Sequence, residues 1–263
     1  MNKISLTDIL AKKNHEKITC LTAYTSSIAK IIDPFCDIIL VGDSLGMVIY
    51  GFDNTREVTI EMMIAHGKAV CKSVKHSFTV VDLPFGSYED SPAQALESAR
   101  KIIDQTGCDA IKIETPLQLI PTVKFLHDNK INVMAHIGLM PQSVENSKDF
   151  RYQGRDPSDA QEIFNNAIEL EKAGAFSIVI EAVPEKLARE ISQNLKIPSI
   201  GIGASADCDG QVLVIDDLLG LNTDFKPKFV TRYEDLATKI SNAVSNFSKD
   251  VKDKKFPLPQ NLL

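Results

Sequence analysis

The chain has 263 residues, of which 44% are hydrophobic and 24% charged, as is usual for a globular protein with a large core. Its formal net charge of −6, without a Lys/Arg cluster interleaved with aromatic residues, argues against a nucleic-acid or anionic membrane partner. No apolar run reaches the roughly 18 residues of a membrane span, no signal-peptide pattern is visible, and the five scattered cysteines form no C-x-x-C pair, so we expect a cytoplasmic protein without disulfides or zinc.

Eight short apolar runs recur along the chain, and most are separated by segments with the periodicity of an amphipathic helix. We predict strands over residues 17–24, 37–42, 78–84, 109–114, 131–136, 176–181, 197–203 and 211–215. We predict helices over residues 5–14, 26–34, 59–75, 91–106, 117–129, 158–173, 185–195 and 233–249, with loops at 51–59 and 141–157 and a polar tail containing Pro257 and Pro259.

The alternation of strand and helix predicts parallel strands joined by helical crossovers. Eight such units in 263 residues predict an α/β fold, a (β/α)₈ TIM barrel. We expect one barrel domain over residues 1–263 with a short C-terminal tail. An open, doubly wound sheet is the alternative.

Polar residues stand at or just after the ends of most predicted strands. The C-terminal strand ends of such a barrel face one opening, here called the mouth, so we expect a shared active site there. Helix capping is the alternative for any single residue, but capping does not account for a lysine or a histidine. The residues are Asp43, Ser44, Asp82, Lys112, Glu114, His136 and Glu181.

The carboxylates of Asp43, Asp82 and Glu114 would supply hard oxygen ligands from three neighbouring strands, a set that favours Mg²⁺. A divalent cation would also compensate the cost of burying several carboxylates together. His136 is either a further ligand or a hydrogen-bonding wall of the pocket, since no zinc motif accompanies it.

Such a site suits an α-keto acid. Mg²⁺ with open positions can chelate the carboxylate and keto oxygens and stabilise the enolate formed when the neighbouring carbon loses a proton. Lys112 would add positive charge beside the developing oxyanion, and Glu181 is the candidate base that takes the proton. Alternatively, Glu181 belongs to the metal shell or pairs with a loop lysine.

The segment Gly201-Ile202-Gly203-Ala204-Ser205 follows the seventh predicted strand, where barrels often bind phosphate. A phosphosugar or flavin site is therefore one interpretation. The acidic residues that follow, Asp207 and Asp209, would repel phosphate. We therefore favour a loop whose glycines allow a close approach of the backbone.

Several segments together resemble the ketopantoate hydroxymethyltransferase family, and the likeness runs from Thr22-Ala23-Tyr24 to about Tyr233. No single segment carries the resemblance, but the combination is highly specific. The segments are Ile39–Met47, Asp82–Phe85, Ile111–Glu114, His136–Gln142, Glu181–Pro184, Gly201–Ala204 and Cys208–Val214.

The resemblance implies a Mg²⁺-dependent TIM barrel of the phosphoenolpyruvate/pyruvate type that acts in pantothenate biosynthesis. It would transfer a hydroxymethyl group from 5,10-methylenetetrahydrofolate to 3-methyl-2-oxobutanoate and give 2-dehydropantoate. The family is cytoplasmic and usually a homodecamer. The implied partners are therefore the keto acid, the folate and further copies of the chain, with no nucleic acid and no membrane.

The resemblance also implies roles by position. Glu181 would be the proton acceptor. The metal would be bound by Asp43, Asp82 and Glu114, and the keto acid would be contacted by Asp43, Ser44, Asp82 and Lys112.

Two other interpretations stay open. A Mg²⁺-dependent lyase or mutase on an oxaloacetate-like or phosphonate substrate would share the enolate chemistry. Such lyases typically use a reactive cysteine in a mouth loop, and none of the five cysteines stands in such a motif. A non-catalytic scaffold would have lost the polar strand ends, which this chain retains.

Overall fold

The computed structural model of the protein describes residues 2–146, 150–223, 227–258 and 260. It contains a closed barrel of eight parallel strands, in which each strand pairs with the next and β8 pairs with β1. The predicted (β/α)₈ barrel is confirmed, and the open sheet is wrong. The strands are β1 Ile18–Thr22, β2 Ile38–Val41, β3 Phe78–Asp82, β4 Ala110–Glu114, β5 Val133–Gly138, β6 Ser177–Glu181, β7 Ser199–Ile202 and β8 Gly210–Leu213.

Helices connect most of the strands, and several of them begin at a capping side chain. α5 follows Ser91, whose hydroxyl accepts the N–H of Gln94, and it ends at Gly107 with a φ of +71°. No helix in the described part of the chain combines the length and the apolar composition that crossing a bilayer demands. The helices are α1 Leu6–Ala11, α2 Ser26–Ile32, α3 Leu45–Val48, α4 Ile60–Cys71, α5 Pro92–Thr106, α6 Ile120–Asp128, α7 Pro157–Lys172, α8 Glu185–Asn194, α9 Ile215–Leu219 and α10 Leu236–Lys252.

Two of these helices are missing from the sequence prediction. α3 and α9 have only four and five residues, too few to show a helical period in the sequence. Ile215, which we assigned to the eighth strand, begins α9, and the strand ends at Leu213. The predicted loop at 141–157 contains a 3₁₀ turn at Pro141–Ser143, while its residues 147–149, like Pro259 of the predicted tail, lie outside the described residues.

Alternate strand positions fill the interior of the barrel with apolar side chains. Phe78 and Phe176 meet edge to face inside it, with ring centroids 5.6 Å apart. Ile9 of α1 is fully buried in the same cluster, and the partly buried Ile4 and Leu6 pack against it. The N-terminal segment therefore closes the end of the barrel opposite to the mouth.

The chain divides into two compact units, Met1–Val214 and Ile215–Leu263. The first unit contains the whole barrel. In the second unit, α10 buries none of its side chains, and it exposes Ile240, Val244, Phe247 and Val251 at helical spacing. The assignment of residues 1–263 to one domain with a short tail stays a prediction.

Asp33, just after α2, holds the segment that leads into β3. Its carboxylate accepts hydrogen bonds from the N–H groups of Lys75 at 2.8 Å, His76 at 3.1 Å and Ser77 at 2.8 Å. Burial alone would raise the pKa of Asp33, but the N–H donors, led by that of Ser77, lower it overall. The folded state therefore stabilises the ionised carboxylate.

Replacing Asp33 by Asn should lower the free energy of unfolding at neutral pH by about 1–3 kcal/mol, since the amide presents its own donors to N–H groups that need acceptors. The pKa of Asp33 is lowered on folding, so its contribution is fully present above the unfolded value of about 3.9 and is lost as the pH falls through the folded value. Urea unfolding of both chains between neutral pH and about pH 3 should show the difference narrowing. A difference that widens on acidification would contradict this assignment.

Candidate active site

Inward-facing strand positions change from apolar to ionisable as the strands approach the mouth. In β3, for example, Val80 lies in the apolar cluster and Asp82 is the next inward position, two residues later. Similarly, Ala110 of β4 lies in the cluster and is followed by two ionisable residues. The inward residues nearest the mouth are Asp82 of β3, Lys112 and Glu114 of β4, His136 of β5 and Glu181 of β6.

Asp43 reaches the same group from a turn after β2. Its backbone N–H donates to Asp82 Oδ2 at 3.1 Å. At Gly42, between the strand and Asp43, a Cβ would lie 2.9 Å from Ser44 Oγ and at an ordinary contact distance of 3.6 Å from Asp82 Oδ2. A side chain at Gly42 would therefore require the Ser44 hydroxyl to shift.

Ser44 and Asp43 do not act as side-chain caps. Ser44 occupies the N-cap position of α3, but its side chain makes no capping hydrogen bond, and its Oγ lies 2.8 Å from Tyr24 Oη. The Asp43 carboxylate accepts a hydrogen bond from the side chain of Gln142. The capping alternative for these two residues is wrong.

Lys112 places an ammonium group among the carboxylates. Its Nζ lies 2.8 Å from Asp82 Oδ2, and the two side chains are 8% and 2% exposed. Burial alone would lower the pKa of Lys112, but the negative charges of Asp82 and Asp43 raise it overall. The lysine is therefore protonated at neutral pH.

The remaining carboxylates show the cost of sharing a buried site. Burial, together with the negative charge of Asp82, raises the pKa of Asp43 to about 7. Burial, together with the negative charge of Asp43, raises the pKa of Glu114. The protein alone thus supplies too little positive charge to balance its own acids, and an added cation would stabilise their ionised forms.

Gln142 and Tyr88 complete this network, although sequence reasoning gave neither a role. Gln142 lies in the 3₁₀ turn after β5, where its Nε2 donates to Asp43 Oδ2 at 2.7 Å and its backbone N–H donates to Glu114 Oε1 at 3.0 Å. The Tyr88 hydroxyl donates to Gln142 Oε1 at 2.5 Å. The only signal in the sequence was the place of Gln142 in the segment His136–Gln142.

His136 and Glu181 form a second group beside the carboxylates. His136 Nε2 lies 3.2 Å from Glu181 Oε2, within ion-pair distance, but the two atoms do not make a hydrogen bond. Both ring nitrogens of His136 are buried, and neither has a hydrogen-bond partner among the residues that the structure describes. The Glu181 side chain is 16% exposed. Among the described residues, Glu181 pairs with His136 and not with a lysine.

The backbone on either side of Glu181 is tightly constrained. Gly138 has a φ of +88°, and a Cβ there would lie 2.2 Å from the carbonyl oxygen of Glu181 and 2.8 Å from a methyl carbon of Val183. Ala182 has a φ of +48°, which a residue with a Cβ rarely adopts. The direction of the Glu181 side chain depends on this close approach of β5 to β6.

Gly138→Ala should therefore destabilise the protein more than Gly86→Ala, its matched control. Both glycines have a positive φ, of +88° and +80°, but a Cβ at Gly86 would meet no atom within 4 Å. We expect both variants to lose about 1–2 kcal/mol from the left-handed backbone, and Gly138→Ala to lose a further ~1–3 kcal/mol through overpacking. Urea unfolding measures both, and equal losses would contradict the close packing at Gly138.

The side chains of Asp43, Asp82 and Glu114 suit a hard divalent cation in type and burial. Within the described part of the chain, the buried Asp82 Oδ1 has no hydrogen-bond partner, which leaves one carboxylate oxygen available to a cation. As the side chains stand, no group of three or more His, Cys, Asp or Glu within the described ranges is arranged to hold a metal ion. Two of the three carboxylates are instead hydrogen bonded to Gln142.

The segment from Gly201 to Asp209 agrees with the prediction at its glycine but not at its acid. At Gly201, a Cβ would lie 3.1 Å from the side chain of Gln211, so the backbone is closely approached there. Asp209, however, does not lie near the mouth. Its carboxylate accepts hydrogen bonds from Lys13 Nζ at 2.7 Å and from the N–H of Ser199, the first residue of β7. The argument that Asp209 would repel phosphate at the mouth is therefore wrong.

The five cysteines are free thiols, and four of them are buried. Burial raises the pKa of each, to about 12 for Cys36 and Cys108. Cys20 belongs to the apolar cluster inside the barrel. None of the five has the environment of the reactive thiolate that the lyase interpretation requires.

Solved structures with the same architecture include mutases, lyases and hydrolases. A phosphoenolpyruvate phosphomutase from Streptomyces platensis matches with a TM-score of 0.64 and 12% identity, covering 95% of this chain and 88% of its own. A 2,3-dimethylmalate lyase matches with a TM-score of 0.63 and 12% identity, covering 100% and 89%. At this level of identity the likeness shows the shared barrel fold alone.

The sequence comparisons are more specific. The profile of the family described as ketopantoate hydroxymethyltransferase matches residues 3–259. A 3-methyl-2-oxobutanoate hydroxymethyltransferase from Paramagnetospirillum magneticum is 51% identical over 99% of this chain and 95% of its own. One of the same name from Cereibacter sphaeroides is 50% identical over 97% and 92%. The resemblance of the sequence motifs is thus confirmed, and the chain belongs to the ketopantoate hydroxymethyltransferase family.

Proposed function

We propose that the protein transfers a hydroxymethyl group from 5,10-methylenetetrahydrofolate to 3-methyl-2-oxobutanoate and forms 2-dehydropantoate for pantothenate biosynthesis. Its relatives at about 50% identity are named for transfer to this keto acid. The observation that carries the proposal is the grouping at one mouth of three buried carboxylates, Lys112 and the adjacent pair of His136 and Glu181. Family membership supports a cytoplasmic homodecamer.

Mg²⁺ is the proposed cofactor, and Asp43, Asp82 and Glu114 are the residues that would hold it. When bound, Mg²⁺ supplies positive charge at the oxygen atoms of the keto acid. Lys112 adds a fixed positive charge beside Asp82, and Ser44 offers a hydroxyl that is 2.8 Å from Tyr24. These groups, with Asp43 and Asp82, orient the ketone for loss of its neighbouring proton.

Glu181 is the proposed base. A carboxylate oxygen of Glu181 takes the proton from the carbon next to the ketone, and the electron pair of that C–H bond forms the new bond to the one-carbon unit of the folate. The two C–N bonds that hold the one-carbon unit to the folate break, water supplies the hydroxyl oxygen of the product, and tetrahydrofolate leaves with two new protons on its nitrogens, one from water and one from Glu181. The side chain of Glu181 is partly exposed, so substrate can reach it, and His136 at 3.2 Å limits its orientations.

Glu181→Gln should slow exchange of the substrate's C3 proton with deuterated solvent by about 10²–10⁴-fold, the usual contribution of a positioned base. Exchange without folate isolates this step and is followed by proton NMR of 3-methyl-2-oxobutanoate. Glu190→Gln is the matched control, because Glu190 is an exposed glutamate on α8. Native exchange by the Glu181 variant would rule out the assignment of the base.

Removal of divalent cations should stop both proton exchange and product formation. Treatment with EDTA followed by gel filtration should leave a folded but inactive protein, and Mg²⁺ should restore the activity, because the buried acids need a cation to balance them. An equal ionic strength of KCl serves as the control for screening. Full activity in the chelated sample would show that the carboxylates act without a metal.

A further inference from the structure

Gln142 forms hydrogen bonds to two of the three buried carboxylates, those of Asp43 and Glu114. It is 3% exposed, and its side chain and backbone make separate contacts with the site. The side-chain Nε2 donates to Asp43 Oδ2 at 2.7 Å, while the backbone N–H donates to Glu114 Oε1 at 3.0 Å and Oε2 at 3.2 Å. One residue therefore fixes two carboxylates, one from the turn after β2 and one from the end of β4.

The orientation of the Gln142 amide follows from its neighbours. Nε2 lies 3.1 Å from the carbonyl oxygen of Leu83, which can only accept a hydrogen bond, so this end of the amide must carry the protons. On the other side, the Tyr88 hydroxyl accepts the N–H of Glu114 at 3.3 Å and is left with its own proton for Gln142 Oε1. Both ends of the amide are therefore specified, and Nε2 faces Asp43.

The turn that carries Gln142 is also held from the side away from the carboxylates. Arg56 Nη1 donates to the carbonyl oxygen of Gln142 at 3.2 Å. The same guanidinium lies over the ring of Phe85, 3.9 Å from its centroid. The position of Gln142 relative to Asp43 and Glu114 is thus set by contacts on every side.

We propose that Gln142 is a positioning residue for the cation site, which sets the direction of the Asp43 and Glu114 carboxylates. The inference rests on the proposed function, since it takes these acids as Mg²⁺ ligands. The side chain of Gln142 fixes Asp43 through Oδ2, and its backbone N–H limits the rotation of Glu114. Hydrogen bonds to ligating carboxylates of this kind typically change metal affinity about 10–100-fold.

The test compares Mg²⁺ binding by four chains, using isothermal titration calorimetry with the metal alone and with 3-methyl-2-oxobutanoate present. Gln142→Ala should weaken Mg²⁺ binding about 10–100-fold. Tyr88→Phe should weaken it less, because it removes only the donor that orients the amide. Asn166→Ala should bind as the native chain does, since this buried amide donates to the carbonyl oxygen of Thr115 and, among the described residues, to no acid.

The measured Mg²⁺ affinities decide between the inference and its alternatives. Native Mg²⁺ affinity in the Gln142 variant would overturn the inference while leaving the proposed function intact, and absence of Mg²⁺ binding by the native chain would overturn both. An equal loss in Asn166→Ala would mean that any loosening of the barrel weakens binding, and would also overturn the inference. Should Gln142→Ala fail to fold, as judged by circular dichroism, the affinity of Tyr88→Phe decides, and native binding by that variant overturns the inference.

Discussion

The burial of three carboxylates beside one ammonium group determines the electrostatics at the mouth of this barrel. Asp43, Asp82 and Glu114 share their low-dielectric surroundings with Lys112, and the Lys112 ammonium contacts Asp82 directly. Removing that many like charges from water is costly unless something compensates them. The raised pKa values of Asp43 and Glu114 express this cost, and hydrogen bonds from Gln142 offset part of it. The site is therefore poised to take up positive charge.

The barrel makes this arrangement possible because the first part of a strand supplies side chains to the apolar core, while its last residues supply side chains to the site. The inward positions are apolar where the strands begin, at residues such as Phe78 and Ala110, and they form the core. In the same two strands, the inward positions nearer the mouth are occupied by acids and a lysine. Much of the site could consequently be predicted from the sequence, since a two-residue period that runs from Val80 to Asp82 or from Ala110 to Lys112 needs no knowledge of tertiary contacts.

The parts that could not be predicted lie off the strands. Gln142 is 99 residues from Asp43 and 54 from Tyr88, and it reaches both from a short turn without a period of its own. The sequence pattern predicts Asp209 at the mouth, but Asp209 lies at the opposite end of the barrel, beside the first residue of β7. The chain returns from the end of β7 to the start of β8 without the helix that usually marks such a return in the sequence. In each case the position is decided by hydrogen bonds between distant segments, which no local pattern encodes.

The closed floor of the barrel has its own consequence. Ile9 is completely buried beneath the strands, and the apolar cluster fills the space between it and the acids. The apolar cluster thus separates those acids from the closed end of the barrel, so a small molecule that reaches them must come from the side of the mouth. Any two molecules that meet at the acids would enter through the same end of the barrel, so the deeper one would have to arrive first and depart last.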